Sequence, residues 1–206
     1  MICLSGSHRV GKTTLAKAYA LKFDIPFVET SASAVFKSMG LDPAVTYDFS
    51  TRLTVQEEIL KVFEAIYAKY AAKEAITDRS PLDLLGYTLA EAIGHTVLLE
   101  DQERLSRYTA KCFEVLNKRF STVIVLQPGI PVVYEEGKAA INNGYIEHLN
   151  SLIIGLSVDE RMKTAHFYIP RALTNLVDRI GAVNYAVSKA RKRAWDEFNL
   201  GDEIRH

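Results

Sequence analysis

Apolar positions along the chain follow two patterns, short continuous runs and helical spacing. Five short runs are mostly apolar or β-branched, which is typical of strands buried in a parallel sheet. These runs cover residues 1–4, 25–28, 75–77, 123–126 and 166–169. Between them, apolar residues recur every three or four positions, which predicts helices. The predicted helices cover residues 13–24, 31–38, 54–70, 81–93, 100–119, 146–156 and 171–198.

The order of these elements predicts an α/β fold. Strands that alternate with helices, joined by right-handed crossovers, form one parallel sheet with helices on both faces. The 206 residues, 48% of them apolar, suit one compact domain over residues 1–206. The long third helix is expected to begin at Thr54, because Thr54 and Glu57 have the spacing of a capping box.

Composition narrows the set of partners. Lys plus Arg equals Asp plus Glu at 25 each, so charge alone would not hold a nucleic acid or an anionic membrane. No apolar stretch approaches the roughly 20 residues of a spanning helix, and the N-terminus lacks the pattern of a secretion signal. We expect a cytoplasmic protein with no membrane partner. Cys3 and Cys112 are expected to be small buried residues, and the spacing of Cys and His does not indicate zinc.

The segment after the first run matches the phosphate-binding pattern G-x-x-x-x-G-K-[ST] at every position, between a predicted strand and a predicted helix. Glycines let the backbone curl so that N–H groups and the helix N-terminus point at a phosphate. Lys12 adds a positive charge between the β- and γ-phosphates, and the Thr13 hydroxyl ligates Mg²⁺. The pattern therefore predicts ATP and Mg²⁺. The predicted nucleotide-binding residues are Gly6, Ser7, His8, Arg9, Val10, Gly11, Lys12, Thr13 and Thr14.

A second acidic group is expected near the Mg²⁺, at the carboxyl end of a strand beside the first. Asp78 ends the third run and is followed by Arg79, whose planar guanidinium suits phosphate oxygens. Asp78 is therefore a predicted metal ligand and catalytic residue, and Arg79 a predicted catalytic residue.

These two motifs resemble those of the P-loop nucleoside and nucleotide kinases, including deoxynucleoside kinases and thymidylate kinases. Those enzymes show a Walker loop at the N-terminus and a D/E-R-x motif after the third strand. The resemblance implies a five-stranded parallel sheet in the order 2-3-1-4-5. It also implies that residues 6–13 bind the donor, that Asp78 helps to hold Mg²⁺, and that Arg79 contacts the acceptor or the transferred phosphate.

Glu29 stands at the end of the second predicted strand. Deoxynucleoside kinases carry a carboxylate there that takes the proton of the acceptor hydroxyl, whereas thymidylate kinases typically place an arginine nearby for a phosphate acceptor. A hydroxyl is a poor nucleophile until its proton is accepted, so Glu29 is suited to hydroxyl phosphorylation. Glu29 is therefore a predicted catalytic base.

Residues 128–144 are polar, contain Gly and Pro, and are a candidate lid. Nucleotide-kinase lids usually bring arginines over the transferring phosphoryl group, but this segment has only Lys138, with Glu135 and Glu136 beside it. The cations that could supply the charge instead are Arg52, Arg161 and Lys163.

Three functions fit these observations. The first is a kinase of nucleotide metabolism that transfers the γ-phosphate of ATP in line to a nucleoside or nucleotide. Its candidate base-stacking residues are Tyr47, Phe49 and Tyr67. The second is a kinase acting on a hydroxymethylated pyrimidine within DNA, as some viral P-loop kinases do. The third is a P-loop ATPase or nucleotide switch, although no predicted strand ends in the two adjacent acids usual in motor ATPases. The sequence leaves the assembly state open, and a homodimer is compatible with it.

Overall fold

The computed structural model describes residues 1–92, 97–133 and 142–203, with side chains as far as residue 199. Strands and helices alternate through these ranges, as the pattern of apolar residues predicts. The strands are β1 Ile2–Ser5, β2 Phe27–Val28, β3 Ile76–Thr77, β4 Thr122–Leu126 and β5 Ala165–Ile169. The helices are α1 Lys12–Phe23, α2 Ala32–Ser38, α3 Phe49–Ala68, α4 Pro81–Glu91, α5 Leu99–Arg119, α6 Asn143–Ser157 and α7 Leu176–Glu203.

The five strands form one parallel sheet in the order β2-β3-β1-β4-β5, which confirms the predicted order. In its register Cys3 of β1 pairs with Thr77 of β3 and with Val123 of β4. Val28 of β2 pairs with Thr77 from the other side. The carboxyl ends of β1, β2 and β3 therefore lie side by side at one edge of the sheet.

Apolar side chains cover both faces of the sheet. Because successive residues of a strand point to opposite faces, Val123 and Val125 belong to one cluster, whereas Ile124 and Leu126 belong to another. The first cluster packs under α3, α4 and α5, and the second under α1 and α7. The structure thus has the three layers expected of an α/β fold.

The start of α3 differs from the prediction. The helix begins at Phe49, and Asp48 caps it by accepting a hydrogen bond from the Thr51 backbone N–H at 2.7 Å. Thr54 lies inside the helix, where its hydroxyl donates to the Ser50 carbonyl at 2.9 Å. The expected start at Thr54 was wrong because Asp48, six residues earlier, is a more favourable capping residue than Thr.

The last helix also starts later than predicted. Residues 170–175 lie outside the helix, and α7 begins at Leu176. The Asn175 side chain accepts a hydrogen bond from the Val177 N–H at 2.8 Å. Two predictions fall partly outside the described ranges: the end of the helix predicted over 81–93, and residues 134–141 of the candidate lid. Within the described ranges no helix combines the length and apolarity needed to cross a membrane.

Candidate active site

The predicted phosphate loop leaves the carboxyl end of β1 and enters α1. Gly6 and Gly11 have positive φ angles of 143° and 80°, which side chains disfavour. A Cβ added to Gly6 would lie 2.6 Å from the Leu126 carbonyl oxygen. Glycine is therefore required at Gly6 by both conformation and space, and the loop curls as phosphate binding needs.

Lys12 is enclosed by this loop, with 6% of its surface exposed. Its ammonium donates hydrogen bonds to the carbonyls of Gly6 at 2.5 Å and Ser7 at 2.8 Å. Burial lowers the pKa of Lys12 to about 8; the carboxylates of Asp83 and Asp78 act in the opposite direction. The ammonium thus has neighbours that it can exchange for phosphate oxygens.

The two predicted metal ligands are in direct contact. The Thr13 hydroxyl, in the first turn of α1, donates a hydrogen bond to Asp78 Oδ2, just beyond β3. Mg²⁺ is usually held by one or two carboxylates together with phosphate oxygens and water. This hydroxyl–carboxylate pair beside a phosphate loop fits that ligand set. In the described part of the chain no group of three or more His, Cys, Asp or Glu could hold a metal alone.

Arg79 lies beside the loop. It lines a cavity of about 610 Å³ together with residues 8–14 and 130–133. Its backbone is held by Tyr67, whose hydroxyl donates to the Arg79 carbonyl at 3.1 Å. Arg79 and the loop therefore share the walls of one cavity.

Glu29 follows β2 as Asp78 follows β3. Since Val28 and Thr77 are paired, the next residue of each strand is Glu29 on one side and Asp78 on the other. Paired strands lie about 4.8 Å apart. Glu29 is exposed at this edge of the sheet, and it is not among the described residues that line the cavity of Arg79.

Two of the three cations that could supply the charge lacking in the candidate lid lie at the end of the molecule opposite the loop. Arg161 and Lys163 precede β5, so they lie at the amino edge of the sheet, opposite the loop. Arg161 is paired with Asp159 at 2.7 Å, and Lys163 lines a separate cavity with Thr122.

Arg52 is already paired with Glu91 at 3.3 Å. Its guanidinium lies 5.7 Å from the ring centre of Tyr47. Among the aromatic residues considered for base stacking, Tyr67 is fully buried in the core and cannot reach a ligand. Tyr47 and Phe49 are half-buried and pack against the apolar cluster that lies under α3, α4 and α5.

Two charged residues that contact the loop were missed by the sequence reasoning. Asp83 of α4 is 1% exposed and accepts a hydrogen bond from the Gly6 N–H at 2.7 Å. Arg179 of α7 is 3% exposed and donates to the Val10 carbonyl at 2.9 Å. The spacing of Ser80 and Asp83 signals a helix start but not contact with the loop. The sequence has no signal for Arg179, because its contact spans 169 positions of the chain.

His8 connects the loop to two helices. Its ring centre lies 6.5 Å from that of Tyr87 in α4 and 5.7 Å from that of Tyr145 in α6. Burial, followed by the charges of Lys12, Arg9 and Arg79, lowers the pKa of His8. A neutral imidazole at pH 7 avoids adding repulsion among these cations.

The fold and the loop define a P-loop nucleotide-binding protein. A family model described as an AAA domain matches residues 1–120, and the chain belongs to this family. No curated protein matches the chain in sequence.

Solved structures extend the likeness beyond residue 120, to between 91% and 92% of the chain. Deoxyadenosine kinase from M. mycoides with bound dCTP superposes with a TM-score of 0.64 at 15% identity, covering 91% of this chain and 98% of that one. NadR in complex with NR gives 0.63 at 16% identity, covering 92% of this chain and 50% of that one. YorR from Bacillus subtilis gives 0.50 at 14% identity, covering 91% and 95%. The resemblance to P-loop nucleoside and nucleotide kinases is thus confirmed at the level of the fold.

Proposed function

We propose that the chain is an ATP-dependent phosphotransferase that moves the γ-phosphate of ATP in line to a nucleoside or nucleotide acceptor. The observation that carries this proposal is the hydrogen bond between Thr13 and Asp78, which joins both predicted metal ligands at the mouth of the loop. The kinase-like fold supports it, since the M. mycoides protein of that fold is a deoxyadenosine kinase.

On the donor side, the loop binds the triphosphate. Backbone N–H groups and the N-terminus of α1 supply positive potential to the β-phosphate. Lys12 turns from the carbonyls of Gly6 and Ser7 to the phosphate oxygens, which gives the ammonium stronger, charge-assisted partners. Thr13 and Asp78 would hold Mg²⁺, which supplies charge neutralisation and orientation at the phosphates.

On the acceptor side, we assign the general base to Glu29. Its carboxylate accepts the proton of the attacking hydroxyl, and it stands at the same edge of the sheet as Asp78. Arg79 stabilises negative charge on the transferred group, because its guanidinium is cationic and the residue lines the cavity beside the loop. This arrangement favours a nucleoside hydroxyl as the acceptor.

Transfer from labelled ATP to nucleosides, nucleoside monophosphates and hydroxymethylated DNA tests the proposal. We expect labelled product from a nucleoside or a monophosphate, and none with Lys12→Ala. Glu29→Gln should slow hydroxyl phosphorylation roughly 10²–10⁴-fold while ATP binding is kept. Glu103→Gln, an exposed carboxylate of α5, is the matched control and should behave as wild type.

Other outcomes identify other functions. Labelling of hydroxymethylated DNA alone would assign the acceptor to a base within DNA. ATP hydrolysis that no acceptor accelerates would refute the phosphotransferase and leave an ATPase or a nucleotide switch.

A further inference from the structure

Asp83 is a buried carboxylate for which the proposed mechanism has no role. It is the third residue of α4, and its side chain accepts hydrogen bonds from both sides. Oδ1 accepts from the Ser5 hydroxyl at 2.9 Å and the Gly6 N–H at 2.7 Å. Oδ2 accepts from the Ser80 N–H at 3.0 Å and the Ser80 hydroxyl at 3.1 Å. Four donors thus compensate the cost of burying this charge.

The two sides of this carboxylate belong to different functional segments. Ser5 and Gly6 open the phosphate loop, whereas Ser80 directly follows the Asp78–Arg79 pair. The two oxygens of a carboxylate are rigidly connected, and hydrogen bonds to an ionised acceptor are about twice as strong as neutral ones. Asp83 therefore sets the separation between the start of the loop and the turn that carries the metal-side carboxylate.

Capping of α4 explains only half of these contacts. A capping box needs the Ser80 side chain to bond the N–H at Asp83 and the Asp83 side chain to bond the N–H of Ser80. Oδ1 has no part in that box, yet it makes the shorter bond, to Gly6. A helix cap at Asp83 does not require the hydrogen bonds that Oδ1 accepts from Ser5 and Gly6.

We propose that Asp83 is a positioning residue that holds the first turn of the phosphate loop against the Asp78–Arg79 turn. It keeps the loop amides and the Thr13–Asp78 pair in the relative placement that a nucleoside triphosphate requires. This role rests on the proposed function for its catalytic meaning. The anchoring itself is a property of the protein without nucleotide, so it can be tested separately.

Asp83→Asn and Ser80→Ala form the test pair. Asp83→Asn keeps the side-chain shape but removes the charge. Its amide NH₂ group is a donor, and it would face either the two donors at Oδ1 or the two donors at Oδ2. Ser80→Ala removes the capping hydroxyl of the same helix, which is near Oδ2 at 3.1 Å and the Ser5 hydroxyl at 3.3 Å. It keeps the Asp83 charge, the Ser80 N–H bond to Oδ2 and both donors to Oδ1. Three quantities are measured: hydrogen exchange at the Gly6 amide without nucleotide, the dissociation constant of MgATP, and the melting temperature.

We expect exchange at Gly6 to be at least about tenfold faster in Asp83→Asn and MgATP to bind about tenfold more weakly or worse. Ser80→Ala should lower the melting temperature and change the other two quantities clearly less than Asp83→Asn does, because it removes one of the four donors to Asp83 and keeps the charge. Asp83→Ala should show a larger effect than Asp83→Asn. If Asp83→Ala fails to fold, Asp83→Asn alone decides the outcome.

Three results would overturn the proposal. The first is unchanged Gly6 exchange in Asp83→Asn. The second is a loss of MgATP affinity that follows the melting temperature equally in both variants, which would make Asp83 a helix cap. The third is faster exchange with unchanged MgATP affinity. If wild-type protein binds no MgATP, the proposed function fails, whereas the exchange measurement still decides whether Asp83 anchors the loop.

Discussion

At the scale of single residues, Lys12 shows how the loop alters an ordinary side chain. An ammonium enclosed by protein loses hydration that backbone carbonyls replace only in part, so its neutral form becomes relatively more stable. The pKa of Lys12 therefore falls from 10.5 to about 8. In the proposed function, the phosphate oxygens of ATP restore the charged form of Lys12.

This shift predicts a pH dependence of stability in the protein without nucleotide. Between pH 8 and 10.5 the unfolded chain keeps the Lys12 proton and the folded chain has lost it. Raising the pH through this window therefore increases the free energy of unfolding. Below about pH 8 the folded state bears the full cost of burying the Lys12 charge. Free energies of unfolding, measured by denaturant titration, should rise with pH in wild type relative to Lys12→Met. Parallel curves for the two proteins would contradict the expectation.

At the scale of elements, α4 and α6 approach each other closely at a glycine. A Cβ on Gly86 would lie 2.8 Å from Cγ1 of Ile153, which is fully buried. In contrast, a Cβ added to Gly155 in α6 or to Gly181 in α7 would have no atom of the described residues within 4 Å. Gly86 therefore allows the close packing of α4 on α6, whereas Gly155 and Gly181 have room for a methyl group.

Alanine substitutions should separate these cases. Gly86→Ala should lower stability by about 1–3 kcal/mol, because the clash exceeds the gain in helix propensity. Gly155→Ala and Gly181→Ala should raise stability by up to about 1 kcal/mol. Thermal unfolding of the three variants measures the difference. A stabilised Gly86→Ala protein would show that α4 and α6 can move apart at no cost.

The elements also show the limits of prediction from sequence. Periodicity located each described strand and helix, because burial of one face depends on nearby positions. It misplaced the start of α3, because the capping-box spacing of Thr54 and Glu57 favoured Thr54, whereas Asp48 caps the helix. Because Asp48 caps the helix, Glu57 has no part in a capping box. Its carboxylate pairs with Arg104 of α5 at 2.8 Å, a contact that spans 47 positions.

At the scale of the whole molecule, nucleotide binding should stabilise the fold, because the loop is built from the carboxyl end of the central strand. A ligand at 100 times its dissociation constant adds about 2.7 kcal/mol of stability. For a chain of this size, MgATP should then raise the melting temperature by roughly 5–10 °C. Lys12→Ala should show little of this shift. An equal shift in that variant would place the nucleotide elsewhere.

The sequence by itself determined the α/β class, the order and approximate positions of the strands and helices, and the glycine-rich pattern that contains Lys12 and Thr13. Each of these follows from residues close together along the chain, where spacing and conformational preference act directly. Only the tertiary structure decided that Asp83 and Arg179 hold the loop, across 77 and 169 positions. It also brought Asp78 onto Thr13, 65 positions away. Such contacts depend on strand register and helix packing, which many distant residues set together.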